Sequence, residues 1–345
     1  IEKQLITHDY NYDFDTIKGV GHISLDSCKG IKNSFIQLEG VTTNNLKNVD
    51  VEIPIGMMTA VIGVSGSGKS SLISKTLYPY LMNALGRTVE EKGAVQKVTG
   101  IESIVDVSYV NQKPIGSNSR SNPGTYTGVF DLIRKCYEDV QEAKEDKLSK
   151  EHFSFNSEKG QCPECSGLGE VRMNMHYMDD IYVPCSKCHG KRYIDEVLKI
   201  KRKGLSIGDI LDMEIHNLIE VFQEEDEIVH QLGMLDKVGI GYLKLGQSAS
   251  TLSGGESQRI KLAKELYKKN CKNILYILDE PTTGLHEEDV EKVIDVLKDL
   301  KEKGATIIII EHNFRIIKEC DYIIELGPSG GGQGGHILQA GFQKR

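Results

Sequence analysis

Apolar and polar positions first fall into a regular pattern at Phe35. FIQLEGV and LKNVDVEIP alternate in the two-residue period of half-buried strands, and MMTAVIGV is nearly continuous in its apolar character. That last run ends in a glycine-rich turn followed by SSLISKTLYPYL, which predicts a helix. A second helix is predicted over residues 131–151, DLIRKCYEDVQEAKEDKLSKE, with a solvated charged outer face. Further on, SGGESQRIKLAKELYKK predicts a helix and NILYILDE a strand. EEDVEKVIDVLKDLKEKG predicts an amphipathic helix stopped at Gly304, and ATIIIIEH and DYIIELG predict two more strands. Short apolar strands alternating with helices imply an α/β architecture, a mostly parallel sheet covered on both faces, with an antiparallel β lead-in. Residues 1–34 show no period and are read as a lead-in segment. The loop GPSGGGQGGH near the C-terminus reads as a turn with no assignable chemistry.

Composition narrows the class. Of 345 residues, 39% are hydrophobic and 27% charged, an ordinary globular balance. The longest apolar runs are too short to cross a bilayer, and no basic-then-apolar leader is visible, so a cytoplasmic chain without a membrane partner is expected. A net charge of −8 argues against wholesale coating of nucleic acid but leaves room for one basic surface. Four of the eight cysteines form two C-x-x-C pairs; Cys28, Cys136, Cys271 and Cys320 are scattered and read as ordinary buried thiols.

The segment GVSGSGKS, from Gly63 to Ser70, matches G-x-x-x-x-G-K-[ST]. Its position between an apolar strand and a helix is the context that a phosphate-binding loop requires. Gly63, Gly66 and Gly68 let backbone N–H groups turn inward around phosphate oxygens, with Ser65, Ser67 and Ser71 in the same ATP-binding stretch. Lys69 supplies a point charge for the β and γ phosphates, and the Ser70 hydroxyl is a ligand for Mg²⁺. LDEPTTGLH then places two acids at the exit of a buried strand. In P-loop ATPases an acid there holds Mg²⁺, which suits Asp279; Glu280, one residue on, is placed to orient or deprotonate the attacking water. In TLSGGESQR, Ser253 and Glu256 form a capping box, while Gly254 and Gly255 leave the N–H groups of the helix start unobstructed.

Taken in this order, with Gln112 before the signature and His312 after ATIIII, the set resembles the ABC-type ATPases. The resemblance implies that Gln112 touches the metal and senses the nucleotide, and that His312 contacts the γ-phosphate. It also implies that LSGGE completes the ATP site of an opposing unit. One P-loop and one LSGGE per chain then require pairing with a copy or a second half.

C162-P-E-C165 and C185-S-K-C188, each followed by x-G and separated by nineteen residues, have the spacing of a closed four-thiolate zinc site with a structural role. Between them, Val171, Met173, Met175 and Tyr177 alternate with Arg172, Asn174 and His176, and Met178-Asp179-Asp180 reads as a turn, so a zinc-stapled β-hairpin is expected. After the second pair, Lys187, Lys191, Arg192, Lys199, Lys201, Arg202 and Lys203 read either as a DNA-backbone contact or as a solvated face.

NNLKNVDVEIPIG, SNPGTYTGVFDLIR, CPECSGLGE, YVPCSKCHGKRY, GYLKLGQSASTLSGGESQR and YILDEPTTGLH resemble the C-terminal half of the UvrA family from about Phe35 onward. The resemblance implies an ATP-hydrolysing ABC subunit of bacterial nucleotide-excision repair that binds damaged double-stranded DNA, with ATP, Mg²⁺ and Zn²⁺ as cofactors. A second ABC unit would be a partner, and the excision-repair B subunit another, reached through the family's other half. The alternative is a half-sized relative acting in drug resistance or regulation. The expected organisation is a lead-in (1–34), an ABC core (35–112 and 247–345) and an insertion and signature region (113–246) holding a zinc module at 155–193.

Overall fold

The computed structural model describes residues 35–89, 92–116, 118, 120–173, 181–268 and 270–343. The lead-in at 1–34, the turn expected at Met178-Asp179-Asp180 and the adjoining strand residues 174–177 lie outside these residues. The chain forms two compact units, one ending at Val105 and resuming at Ile317, the other running Asp106–Ile316.

The first unit opens with β1 (Phe35–Val41), β2 (Val49–Pro54), β3 (Met58–Gly63), α1 (Lys69–Leu72), α2 (Tyr78–Ala84) and β4 (Lys97–Thr99). β1 lies between β2 and β4 in an antiparallel sheet, the expected lead-in, with Ile36 opposite Ile53 and Leu38 opposite Val51 and Val98. Its alternation is that of the sequence: Ile36 and Leu38 are buried, while Gln37 turns outward to bond Glu52. The predicted helix after the glycine turn carries a π turn at Ile73–Leu77 between α1 and α2. Pro79 has no N–H for the Lys75 carbonyl, and Gly93 N donates to it instead at 2.8 Å.

The second unit begins with β5 (Asp106–Val110), α3 (Pro123–Thr127), α4 (Val129–Glu138) and α5 (Gln141–Glu145). The single helix expected over 131–151 is thus broken, because Val140 adopts an extended conformation (φ −65°, ψ 141°). The hairpin strands follow, β6 (Glu170–Met173) and β7 (Ile181–Pro184), antiparallel with Val171 opposite Val183. α6 (Asp195–Lys199), α7 (Ile207–Asp212), α8 (Ile215–Val221) and α9 (Asp226–Lys237) lead to α10 (Gly254–Leu266), β8 (Ile274–Asp279), α11 (Glu287–Glu302), β9 (Thr306–Ile310) and α12 (Phe314–Glu319). β8 pairs in parallel with β5 and β9, and β9 is buried along its whole length. That burial on both faces is why the run reads as TIIII with no alternation. An aromatic stack ties the cysteine module to α4: Tyr137 meets Phe153, and Phe155 lies between Phe130 and Tyr193.

The first unit closes with β10 (Tyr322–Gly327), parallel to β3, and β11 (His336–Phe342), antiparallel to β10. The sequence reading did not foresee β11; only Ile337 and Leu338 are apolar in its first four residues. The fold is therefore the expected α/β class, mixed and mostly parallel. Among the described residues no helix is long and apolar enough to cross a membrane.

Candidate functional site

In the first unit, β3 delivers its C-terminal end to the P-loop. Gly68, with φ 113°, stands at the start of α1 in a backbone conformation that side chains resist. Lys69 is nearly buried, and its ammonium donates to the carbonyls of Gly63 (2.7 Å) and Val64 (3.1 Å). Ser65, Gly66 and Ser70 are exposed, whereas Ser67 is buried and its N–H donates to Val64 O at 3.1 Å. Ser71 is buried and accepts from Asn44 Nδ2 at 2.9 Å.

In the second unit, four separate motifs of the chain meet around the start of α10. Asp279 ends β8, and its Oδ2 accepts from Tyr109 Oη at 3.1 Å. Glu280 follows with φ 49°, a left-handed conformation costing on the order of 1 kcal/mol for a residue with a side chain. Its carboxylate accepts from Thr283 Oγ1 at 3.2 Å and lies 3.9 Å from His312 Nε2. Ser253 and Glu256 form the predicted capping box, with Glu256 N donating to Ser253 Oγ (3.2 Å) and Ser253 N to Glu256 Oε2 (2.7 Å). A Cβ on Gly254 would stand 3.1 Å from Gln112 Cβ, and one on Gly255 would stand 3.2 Å from Thr283 O. The signature glycines thus let the Gln112 loop and the loop after Glu280 approach the helix start.

Four residues that sequence reasoning passed over hold this arrangement together. Gln258 Nε2 donates to Val110 O (3.1 Å) and Asp279 O (2.9 Å), joining the ends of β5 and β8. Lys261 Nζ donates to Asn111 O (3.0 Å), Asn111 Oδ1 (2.9 Å) and Lys113 O (2.8 Å), enclosing Gln112 from both sides. Burial, with the Lys113 charge nearby, holds the Lys261 ammonium below its usual pKa. Glu311 is buried; its Oε1 accepts from Thr282 N (3.0 Å) and Thr282 Oγ1, and its Oε2 from His312 N (2.6 Å) and Asn313 N (3.0 Å). Tyr242 Oη donates to Glu256 Oε1 at 2.7 Å. One signal was available in the sequence: a carboxylate directly ending the ATIIII strand cannot be buried without donors.

The cysteine pairs converge as expected. Cys162 Sγ lies 3.9 Å from Cys185 Sγ, and Cys165 Sγ lies 3.7 Å from Cys188 Sγ. All four thiols are buried within 4.8 Å of one another. Zinc–sulfur bonds of about 2.3 Å in a tetrahedron put sulfurs about 3.8 Å apart, so the cluster fits the ion. The two knuckles repeat one design. Ser166 and His189 both have φ 50°, and Gly169 N donates to Cys165 Sγ as Arg192 N does to Cys188 Sγ, each at 3.3 Å. Burial pushes the Cys188 thiol up to about 12 and raises that of Cys165, whereas the Cys185 thiol, despite burial, is held below its usual pKa by N–H groups of Cys188 and Lys187 and by the neighbouring thiols. Val171 packs on the cluster, whereas Met173, expected on the same face, is 52% exposed.

The basic run is not a free positive stripe, since several of its members are engaged within the fold. Arg192 donates to Gly246 O at 2.8 Å and lies over the Phe155 ring. Arg202 pairs with Glu225 and lies over Phe222. Lys191 pairs with Asp209 (2.9 Å) and Asp212 (3.6 Å), Lys201 with Asp209 (3.4 Å), and Lys203 with Glu224 (3.6 Å). Acids from α7 and from the segment before α9 pair with four of the seven cations; Lys187 and Lys199 are exposed.

A family model described as ABC transporter matches residues 46–283. UvrABC system protein A of Lactococcus lactis subsp. lactis (strain IL1403) is 49% identical over 310 residues, covering 90% of this chain and 33% of the relative. That of Haemophilus influenzae (strain Rd) is 47% identical over 311 residues with the same coverage. The crystal structure of UvrA2 from Deinococcus radiodurans aligns with a TM-score of 0.83 at 41% identity, covering 90% of this chain and 37% of that one. The chain therefore spans about one third of the length of the curated relatives it matches. The chain belongs to the ABC transporter family, within which it is UvrA-like.

Proposed function

We propose that this chain is an ATP-hydrolysing ABC unit acting on damaged duplex DNA in nucleotide-excision repair. The observation that carries the reading is the gathering of Gln112, Ser253–Glu256, Asp279, Glu280 and His312 in one unit that also holds the four-cysteine cluster, in a UvrA-like chain. Lys69 would exchange the Gly63 and Val64 carbonyls for phosphate oxygens. Glu280 accepts a proton from the attacking water as that water's oxygen bonds the γ-phosphorus; the bond to the β-bridging oxygen breaks, and ADP leaves with the electron pair. His312, beside Glu280, contributes a donor toward the γ-phosphate. Ser70 in the first unit, and Gln112 and Asp279 in the second, carry the hydroxyl, amide and carboxylate oxygens that would suit Mg²⁺ as hard donors, and a bound ion would supply charge neutralisation toward phosphate. Cys162, Cys165, Cys185 and Cys188 would hold one structural Zn²⁺.

The LSGGE start is read as the second wall of a partner's ATP site, so a second ABC unit is required. Duplex DNA is the proposed ligand, bound through backbone contact and deformability rather than sequence. Arg192 and Arg202 are left out of that contact because both serve the fold. The test is binding of the purified chain to lesion-bearing and intact duplexes across a salt series, with Mg-ATP present. Salt-sensitive binding that favours the lesion is expected. Salt-insensitive or absent binding, with ATP hydrolysis intact, would overturn the DNA assignment while leaving the ATPase.

A further inference from the structure

The loop GPSGGGQGGH lies on the back of the P-loop. Gly331 N donates to Gly66 O and Gly335 N to Ser67 O, each at 3.1 Å. Asn45 Nδ2 donates to Gly66 O (2.9 Å) and to Gly331 O (3.3 Å), and Lys47 N donates to Gly335 O at 2.9 Å. Two consecutive P-loop carbonyls are thus held from behind by N–H groups contributed from the chain's last segment and from the turn after β1.

We propose that this second glycine loop is a brace that presets the P-loop for phosphate, with Gly330, Gly331, Gly335 and Asn45 as positioning residues. The proposal rests on the reading of Gly63–Ser70 as a nucleotide site. A peptide unit is planar and trans, so its carbonyl and the following N–H point in opposite directions. Fixing Ser67 O against Gly335 turns the Gly68 N–H away from the brace, toward the side on which a P-loop receives its anion. An unbraced glycine loop would have to order those peptide planes on binding, at an entropic cost; the brace orders them during folding.

The glycines of the brace are not equivalent, and this makes the inference testable. Gly330 has φ −84° and ψ 163°, a backbone any residue adopts, yet a Cβ there would stand 2.5 Å from Ser65 O. Gly332, two residues on, would meet nothing within 4 Å. Gly330→Ala therefore pushes on the P-loop without straining its own backbone, and Gly332→Ala is the control in the same loop. Asn45→Asp keeps the shape and replaces the donor with an acceptor facing two carbonyls.

The experiment titrates Mg-ADP into the purified chain by calorimetry, with the nucleotide-free melting temperature measured alongside. Gly330→Ala and Asn45→Asp are expected to weaken Mg-ADP by about tenfold, while Gly332→Ala stays within about twofold. Their nucleotide-free melting temperatures should fall somewhat below that of Gly332→Ala, with the transitions still cooperative, so affinity is compared at a temperature where all three variants are folded. Unchanged affinity in Asn45→Asp and in Gly330→Ala, or equal losses at Gly330 and Gly332, overturns the brace. Lys69→Ala separates the two readings: it should lose Mg-ADP binding, and retained binding would remove the nucleotide-site reading on which the brace rests.

Discussion

Glu280 occupies a left-handed backbone position and has its carboxylate set between Thr283 and His312. Glu280→Gln keeps the size and the oxygen that Thr283 contacts but removes the proton acceptor. Turnover should fall by about 100-fold or more with Mg-ATP binding retained, read by phosphate release and nucleotide titration; ordinary turnover would refute the base assignment. Glu311 acts one step back, holding the Thr282 and His312 backbones with one carboxylate. Glu311→Gln presents an amide donor to N–H groups that need an acceptor, so stability should drop by on the order of 2 kcal/mol in denaturant unfolding. Turnover should fall more than Mg-ADP affinity does, a split that loss of bulk stability alone would not give. At this scale motif residues were legible, because Lys69, Asp279 and Glu280 sit at spacings the chemistry dictates. Gln258 and Lys261 were not, since their carbonyl partners come from far along the chain; Glu311 offered only the signal of a carboxylate ending a buried strand, with its distant partner Thr282 unreadable.

Helix α10 joins several of these motifs. Its first turn carries the capping box, and its second and third turns carry Gln258 and Lys261, whose amide and ammonium reach β5, β8 and the Gln112 loop. The helix that begins at the signature is therefore tied to the Gln112 loop and to Asp279 by direct hydrogen bonds. Lys261→Met keeps the aliphatic stem and removes three donated bonds. Amide exchange should rise across residues 111–116 and hydrolysis should fall several-fold, with the α10 amides still protected; unchanged exchange at 111–116 would sink the coupling. The cap of α10 was readable from S-x-x-E, and the two knuckles from C-x-x-C-x-G. The ion pairs of the basic run were not readable, because charge pattern alone does not reveal acids approaching from α7 or Glu225. For the cysteine module, Cys162→Ser with Cys165→Ser should abolish about one equivalent of zinc per chain by metal analysis. It should also loosen the Phe155–Tyr193 contact, because that stack is anchored through Arg192, which follows the second knuckle.

For the whole molecule, the decisive feature is an exposed signature start, Ser253, in a chain with one P-loop and one LSGGE. If that start faces a partner's nucleotide, trapping ATP should drive association, because bound ATP would bridge two surfaces that neither unit completes alone. Glu280→Gln with Mg-ATP should therefore shift the chain from monomer to dimer in sedimentation, and Mg-ADP should not. Ser253→Arg would place a cation's bulk on the helix start and break the capping box, so the same trapped variant should stay monomeric while its own P-loop still binds Mg-ADP. A Glu280→Gln, Ser253→Arg chain that still dimerises with Mg-ATP would show that the units do not pair through LSGGE. A trapped variant that remains monomeric at high concentration would instead assign pairing to a second, non-identical ABC unit, and mixing with such a unit should then restore ATP-dependent association.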